Sequence, residues 1–280
     1  MFYHYCKADT SLKIIETKCL WLTNLTKSND EDEVKRTFVN LWSKIKDELM
    51  NNNYDIPDVD SLIELIDRQI KTEVFMSIDG YETPYGVCFS DNRDLFQNWK
   101  EYGDEGKGLA LGFSEQIFNA IKKQHPHPSS NFENAIGWEQ TIYDYNDVIV
   151  QQMIKMIVEI LKAPSNPFRW LDVRTTLKHY SAFIKNPTFK DERETRIVYY
   201  PSDAHTHNNA EVSTLIETPL KHCCLPWIKS SGICALEEII VGKNCNCSVE
   251  EVQKLLKGNG IKNDINIIKS QCSYRASNNR

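Results

Sequence analysis

Residues 1–24 read MFYHYCKADTSLKIIETKCLWLTN. FYHYC is short, aromatic and strand-like. Asp9, Thr10 and Ser11 can cap a helix whose apolar residues are Leu12, Ile14 and Ile15. CLWLT then reads as a second strand. Strand, helix and strand therefore follow one another at once. In the first strand Tyr3 and Tyr5 point to one face and His4 to the other, which places a titratable ring opposite two packing aromatics.

Further along, Val34, Phe38, Leu41, Trp42, Ile45 and Leu49 recur at helical spacing, as do Leu62, Leu65, Ile66 and Ile70. EVFMSI and GVCFS read as strands joined by the turn DGYETPY. Asn92 is placed to cap a helix carrying Leu95, Phe96, Trp99 and Tyr102. GLALGF reads as a buried strand, and Ser114 caps a short helix after it. The stretch 145–161 is apolar on several faces and predicts a buried helix, with another over 170–184. RIVYY, EEIIVG and INIIKS read as strands, and Ser248 opens a last helix near 249–257. There is no regular βαβ alternation and no internal repeat. The expectation is one mixed α+β domain over 1–280, with helical insertions near 31–70 and 145–185.

The chain has 280 residues, 41% hydrophobic and 26% charged, with 33 Lys and Arg against 39 Asp and Glu. That is ordinary globular composition with material for a sizeable core. A net charge of −6 with no basic run argues against strong non-specific binding of nucleic acid or anionic membrane. The N-terminus lacks a signal-peptide pattern and no apolar run is long enough to span a bilayer. The expectation is a cytoplasmic protein without membrane contact. The odd count of nine cysteines suggests no disulfide framework.

Several chemical motifs are weak or absent. GDEGKG (103–108) shares only its glycines with a phosphate loop; Asp104 and Glu105 would repel phosphate, so it reads as a helix-ending loop. His222, Cys223, Cys224, Cys234, Cys245 and Cys247 cluster late, but CC and CxC pairs make poor zinc knuckles. His125 with His127, and His205 with His207, read as surface pairs. No GxSxG elbow is present, and Cys88 inside an apolar strand reads as packing.

FKDERETRIVYY (189–200) is more informative. If it enters a strand, Glu192, Glu194 and Arg196 share one face by the period of two. Two carboxylates beside a guanidinium suit either a solvated Glu–Arg pair or a site that stabilises positive charge and accepts sugar hydroxyls.

Taken in order, YHYC, CLWLTN, SNDEDE, VCFSD, LFQNWKEYGDEGKGLALGF, FKDERETRI, LEEIIVG and IIKSQCSYR make the chain resemble a bacterial family catalogued as domain of unknown function 2971. The blocks span nearly the whole chain, with 114–185 the loosest. More distantly, His4 in the first strand, GVCFSD, GLALGF and a later glutamate resemble ADP-ribosyltransferases of the His-Tyr-Glu type. That resemblance implies split β-sheets with peripheral helices and NAD as the substrate. It also implies cleavage of the nicotinamide–ribose bond, with transfer of ADP-ribose to an unknown macromolecular or small-molecule acceptor, and a toxin or phage-defence setting. The implied catalytic residues are His4, Glu194 and Glu192. The implied NAD-binding residues are Tyr3, Tyr5, Ser90, Trp99, Tyr102 and Arg196, with Trp99 or Tyr102 as the stacking ring. The chain departs from that pattern at Tyr5, where glycine is common, and at Cys88, where tyrosine is common. Two alternatives stay open: a non-catalytic ligand-binding or sensor module, and a metal-dependent nuclease-like toxin using Asp91, Glu192 and Glu194. Glu194→Gln, nearly isosteric, is expected to abolish NAD cleavage without harming the fold.

Overall fold

Alternation in the first strand separates its side chains as its sequence demands. Tyr3 and Tyr5 pack with Trp99, Ala110 and Ile240 on one face, while Cys6 and Phe2 join the main apolar core on the other. The computed structural model describes residues 1–27, 33–52, 54–71, 84–119, 121–123, 136–163, 169–200, 213–216, 222–228, 232–261 and 264–272. The strand predicted at EVFMSI, most of DGYETPY and of SNDEDE, both surface histidine pairs and the closing SYR lie outside the described residues.

The elements, in chain order, are β1 (Phe2–Cys6), α1 (Ala8–Thr17), β2 (Cys19–Asn24), α2 (Glu33–Asn51), α3 (Val59–Lys71), β3 (Tyr85–Ser90), α4 (Phe96–Glu101) and β4 (Leu109–Phe113). There follow β5 (Lys122–Lys123), β6 (Ile136–Gln140), α5 (Val148–Lys162), α6 (Arg169–Ser181), β7 (Glu194–Tyr199), β8 (Ser213–Ile216), β9 (His222–Pro226), β10 (Leu236–Val241), α7 (Val249–Gly258) and β11 (Asn266–Lys269). Together they form a single α+β domain around a mixed, open sheet.

The sheet branches at β3. One path runs β11-β10-β4-β1-β3-β2-β9-β8, while β7 also pairs with β3 and carries β6 and β5. β7 pairs β3 along its length, from Tyr85↔Tyr199 to Ser90↔Glu194. A strand has only two edges, so β1 and β2 share the other. β1 meets it at Tyr3↔Ser90, and β2 meets it at Thr23↔Gly86 and Asn24↔Tyr85. Over Val87–Phe89 that edge has no strand partner among the described residues. β1 and β2 splay apart there.

One apolar core lies under the sheet, where α1 and α7 cover it through Ile14, Ile15, Val252 and Leu256. A second joins α2, α3, α5 and α6 through Phe38, Trp42, Ile66, Ile157 and Leu177. No described helix is long and apolar enough to cross a membrane.

Local signals misplaced two helix starts and missed several strands. α1 starts at Ala8, with Lys7 as a cap that makes no side-chain bond. Ser11 lies inside the helix and donates to the Lys7 carbonyl, so Asp9-Thr10-Ser11 is the first turn rather than its cap. α4 starts at Phe96 behind Leu95; Asn92 instead donates to the Asp191 carbonyl. Ser114 stands at the N-cap of the 3-10 turn Glu115–Phe118 as expected, though without a side-chain cap bond. Strands β6 and β9 occur where the patterns suggested none. Ser248, by contrast, closes a full capping box with Glu251.

Candidate functional site

At the fork in the sheet lies a cavity of about 880 Å³. Its wall includes His4 from β1, Cys88 and Ser90 from β3, Asn98 and Tyr102 from around α4, and Lys185, Glu192, Glu194 and Arg196. The His4 Nδ1 lies 3.0 Å from the carbonyl of Cys88, at the unpaired edge of β3. A carbonyl only accepts, so Nδ1 carries the proton and Nε2 is the ring's acceptor. Burial holds the His4 pKa below its usual 6.5, against the pull of that carbonyl. The ring is therefore neutral near pH 7.

The carboxylates arrive by different routes. Glu194 begins β7, and β-alternation puts Arg196 beside it on the same face. Glu192 is not on the strand. It ends a 3-10 turn over Pro187–Glu192, and Arg193 follows in the left-handed region at φ 45°. The predicted three-residue row is thus broken after Glu192. Its side chain still joins the same group, because Lys185 donates to Glu192 Oε2 at 2.6 Å and to Glu194 Oε2 at 3.1 Å. Arg196 Nε donates to Glu194 Oε1 at 2.7 Å, and its Nη1 donates to the Ala182 carbonyl. All four side chains are buried, so the cluster is two anions held by two cations.

The two carboxyls are driven apart electrostatically. Burial opposes ionisation of Glu194, but the charges of Arg196 and Lys185 together with hydrogen bonds bring its pKa down to about 2. Burial also raises Glu192, and there Lys185 does not offset it, so its pKa lies above the ordinary carboxyl value of 4.5. Adjacent carboxyls separated in this way can take different roles, one a permanent anion and one a proton carrier. Tyr102 donates to Glu192 Oε1 at 3.2 Å. Burial pushes the Cys88 thiol well above its normal range, so it stays protonated.

His4, Tyr3, Tyr5, Ser90, Tyr102, Glu192, Glu194 and Arg196 all line this cavity. Several are already engaged. Tyr3 donates to Glu238, Tyr5 donates to the Asn92 carbonyl, and Ser90 donates to the Glu192 carbonyl. Trp99 departs from the expectation. It is 1% exposed, packs edge-on against Tyr5 at 5.0 Å and donates its indole N–H to Asp94. It supports the wall from behind and offers no face for stacking, whereas Tyr102 remains partly exposed.

Lys185, Asn98 and Tyr143 went unnoticed in the sequence. Tyr143 accepts the Glu194 backbone N–H at 2.9 Å. The only cue for Lys185 was its place at the end of the apolar run SAFIK. Among the described residues no group of three His, Cys, Asp or Glu side chains is placed to hold a metal ion. The space between Glu192 and Glu194 that a cation would take is filled by the Lys185 ammonium, which removes the geometric basis for a metal centre on Asp91, Glu192 and Glu194. The amides of Gly106, Lys107 and Gly108 are bonded to the carbonyls of Trp99, Asp104 and Gly103, so GDEGKG closes α4 on itself.

No curated protein and no solved structure matches the chain. Residues 98–197, which carry Asn98, Lys185, Glu192, Glu194 and Arg196 and run through the stretch that looked loosest, match the family model described as protein of unknown function (DUF2971).

Proposed function

We propose that the cavity binds NAD and cleaves its nicotinamide–ribose bond, passing ADP-ribose to an acceptor or to water. The observation that carries this reading is the convergence of His4 with Glu192 and Glu194 in one cavity. In the reaction the bond from ribose C1′ to the pyridinium nitrogen breaks. Its electron pair stays with nitrogen, so nicotinamide leaves neutral and positive charge develops on the ribose. Glu194, ionised at any ordinary pH, is the standing anion for that charge. Glu192, with its raised pKa, accepts the proton that the acceptor hydroxyl gives up as its oxygen bonds C1′. The free Nε2 of His4 accepts a ribose hydroxyl and orients the sugar.

Glu192→Gln is the preferred test. Glu194→Gln would unbalance a buried pair, and breaking such pairs typically costs about 3–5 kcal/mol, so that variant would not leave the fold intact. Purified protein is incubated with NAD and released nicotinamide is measured. Wild type should release it, and Glu192→Gln, checked as folded by circular dichroism, should be slower by about 10²–10⁴-fold. Release at the wild-type rate from the variant would refute the assignment of Glu192.

One observation favours a second reading, a binding or sensor module. Both Glu194 oxygens are already held by Arg196 and Lys185, as in a purely structural cluster. NAD binding by calorimetry with no nicotinamide release would support that reading over the first.

A further inference from the structure

Tyr102 caps the C-terminus of α4, where its amide and that of Gly103 both donate to the Asn98 carbonyl at 3.0 Å. Gly103 packs so closely that a Cβ there would lie 2.5 Å from the Trp99 ring, and Trp99 is fully buried. The backbone that carries Tyr102 is therefore fixed. Its side chain is 37% exposed and lines the cavity. The wall hydroxyls of Tyr3, Tyr5 and Ser90 are spent on Glu238, the Asn92 carbonyl and the Glu192 carbonyl. Tyr102, unlike those three, donates to a carboxylate of the buried pair, Glu192 Oε1 at 3.2 Å. The other oxygen of Glu192 takes the Lys185 ammonium at 2.6 Å. Oε2 is thus committed to a short, charge-assisted bond, and Oε1 is the oxygen left to take a proton. The proton that points at it belongs to Tyr102.

We infer that Tyr102 is itself an acceptor of ADP-ribose, an inference that rests on the cleavage reaction proposed above. In this step a lone pair of the Tyr102 hydroxyl oxygen bonds ribose C1′. The bond from C1′ to the pyridinium nitrogen breaks, and its electron pair leaves with neutral nicotinamide. The phenolic proton passes along the existing hydrogen bond to Glu192 Oε1. The product is an O-glycoside of Tyr102, and no further reactant is consumed. Burial raises the phenol above its ordinary range, so it stays protonated and is a poor nucleophile until a base removes that proton. The base is already within hydrogen-bond reach. Holding acceptor and base in one wall makes the step intramolecular, which favours it over attack by a diffusing hydroxyl.

To test this, the full chain is incubated with NAD, and released nicotinamide and intact protein mass are followed together. Wild type should gain one ADP-ribose per chain, and peptide mapping should place it on Tyr102. The labelled fraction should rise with the same half-time after about tenfold dilution of the protein, as a reaction within one chain requires. Tyr102→Phe, which keeps the ring and removes the nucleophilic oxygen, should carry no ADP-ribose. If that variant does not fold, the mapped position on wild type decides. Glu192→Gln should stay unmodified at Tyr102 even when mixed with wild type. The inference falls if nicotinamide is released while Tyr102 stays bare, or if the label sits elsewhere. It also falls if labelling slows on dilution, or if Glu192→Gln is labelled in the mixture. All of these outcomes leave the cleavage reaction standing, whereas absence of nicotinamide release would overturn both.

Discussion

His4 shows how much one side chain can carry. Its ring closes an unpaired backbone edge through the Cys88 carbonyl and still lines the cavity. Its lowered pKa is also a statement about stability. In the unfolded chain the imidazole titrates near 6.5; in the folded protein it binds its proton only at lower pH. Below 6.5 the unfolded state therefore takes up more protons, and the stabilisation present above 6.5 is lost as pH falls toward the folded pKa. Glu192 has the opposite sign, losing stability as pH rises from 4.5 through its raised pKa. The two can be told apart with His4→Asn, which keeps a donor for the carbonyl but does not titrate. Between about pH 7.5 and about pH 5.5, wild type should lose more unfolding free energy in urea melts than His4→Asn. Equal losses would mean that His4 is no more buried than in the unfolded chain.

Among the elements, β1 depends on the loop before β4. A Cβ at Gly108 would lie 2.0 Å from the Cys6 carbonyl oxygen, which is backbone and cannot swing away. The same loop is tied across to the turn after β10, where Gly242 donates to the Gly108 carbonyl and Asn244 to that of Gly106. Gly108→Ala must push β1 off β4. We expect a loss of about 3 kcal/mol in urea melts, together with weakened ligand binding, because β1 carries His4. Retention of wild-type stability would show that β1 has more freedom than its ladder with β4, from Phe2↔Phe113 to Cys6↔Leu109, implies. The sequence singled out GDEGKG for its glycines but held no sign of this close approach, since the contacting carbonyl lies a hundred positions away.

Across the whole molecule, the helical layer is more than a cover. α2, α3, α5 and α6 share a core of their own, and α6 runs on into Ala182, Phe183 and Lys185. Ala182 receives Arg196, and Lys185 holds both carboxylates. Ile157 is fully buried within this layer. Ile157→Ala should cost about 2–5 kcal/mol and speed hydrogen exchange in α2, α5 and α6 more than in β4 and β10. Equal acceleration in both places would show one cooperative unit in place of two layers.

The sequence by itself determined whatever depends on near neighbours. Period-two alternation set the faces of Tyr3, His4 and Tyr5. Period-3.6 apolar spacing marked α2 and α3, apolar residues on several faces marked the buried α5, and Ser248 marked the start of α7. Local pattern also singled out His4, Glu192 and Glu194 as residues to watch. Only the tertiary structure decided what each of them faces. The fork at β3, the Lys185 ammonium between two carboxylates, the burial of Trp99 behind Tyr5 and the Tyr102 hydroxyl on Glu192 all depend on segments far apart in the chain. Hydrogen-bond satisfaction and desolvation are properties of a three-dimensional neighbourhood, and residue spacing along a strand or helix carries no record of it.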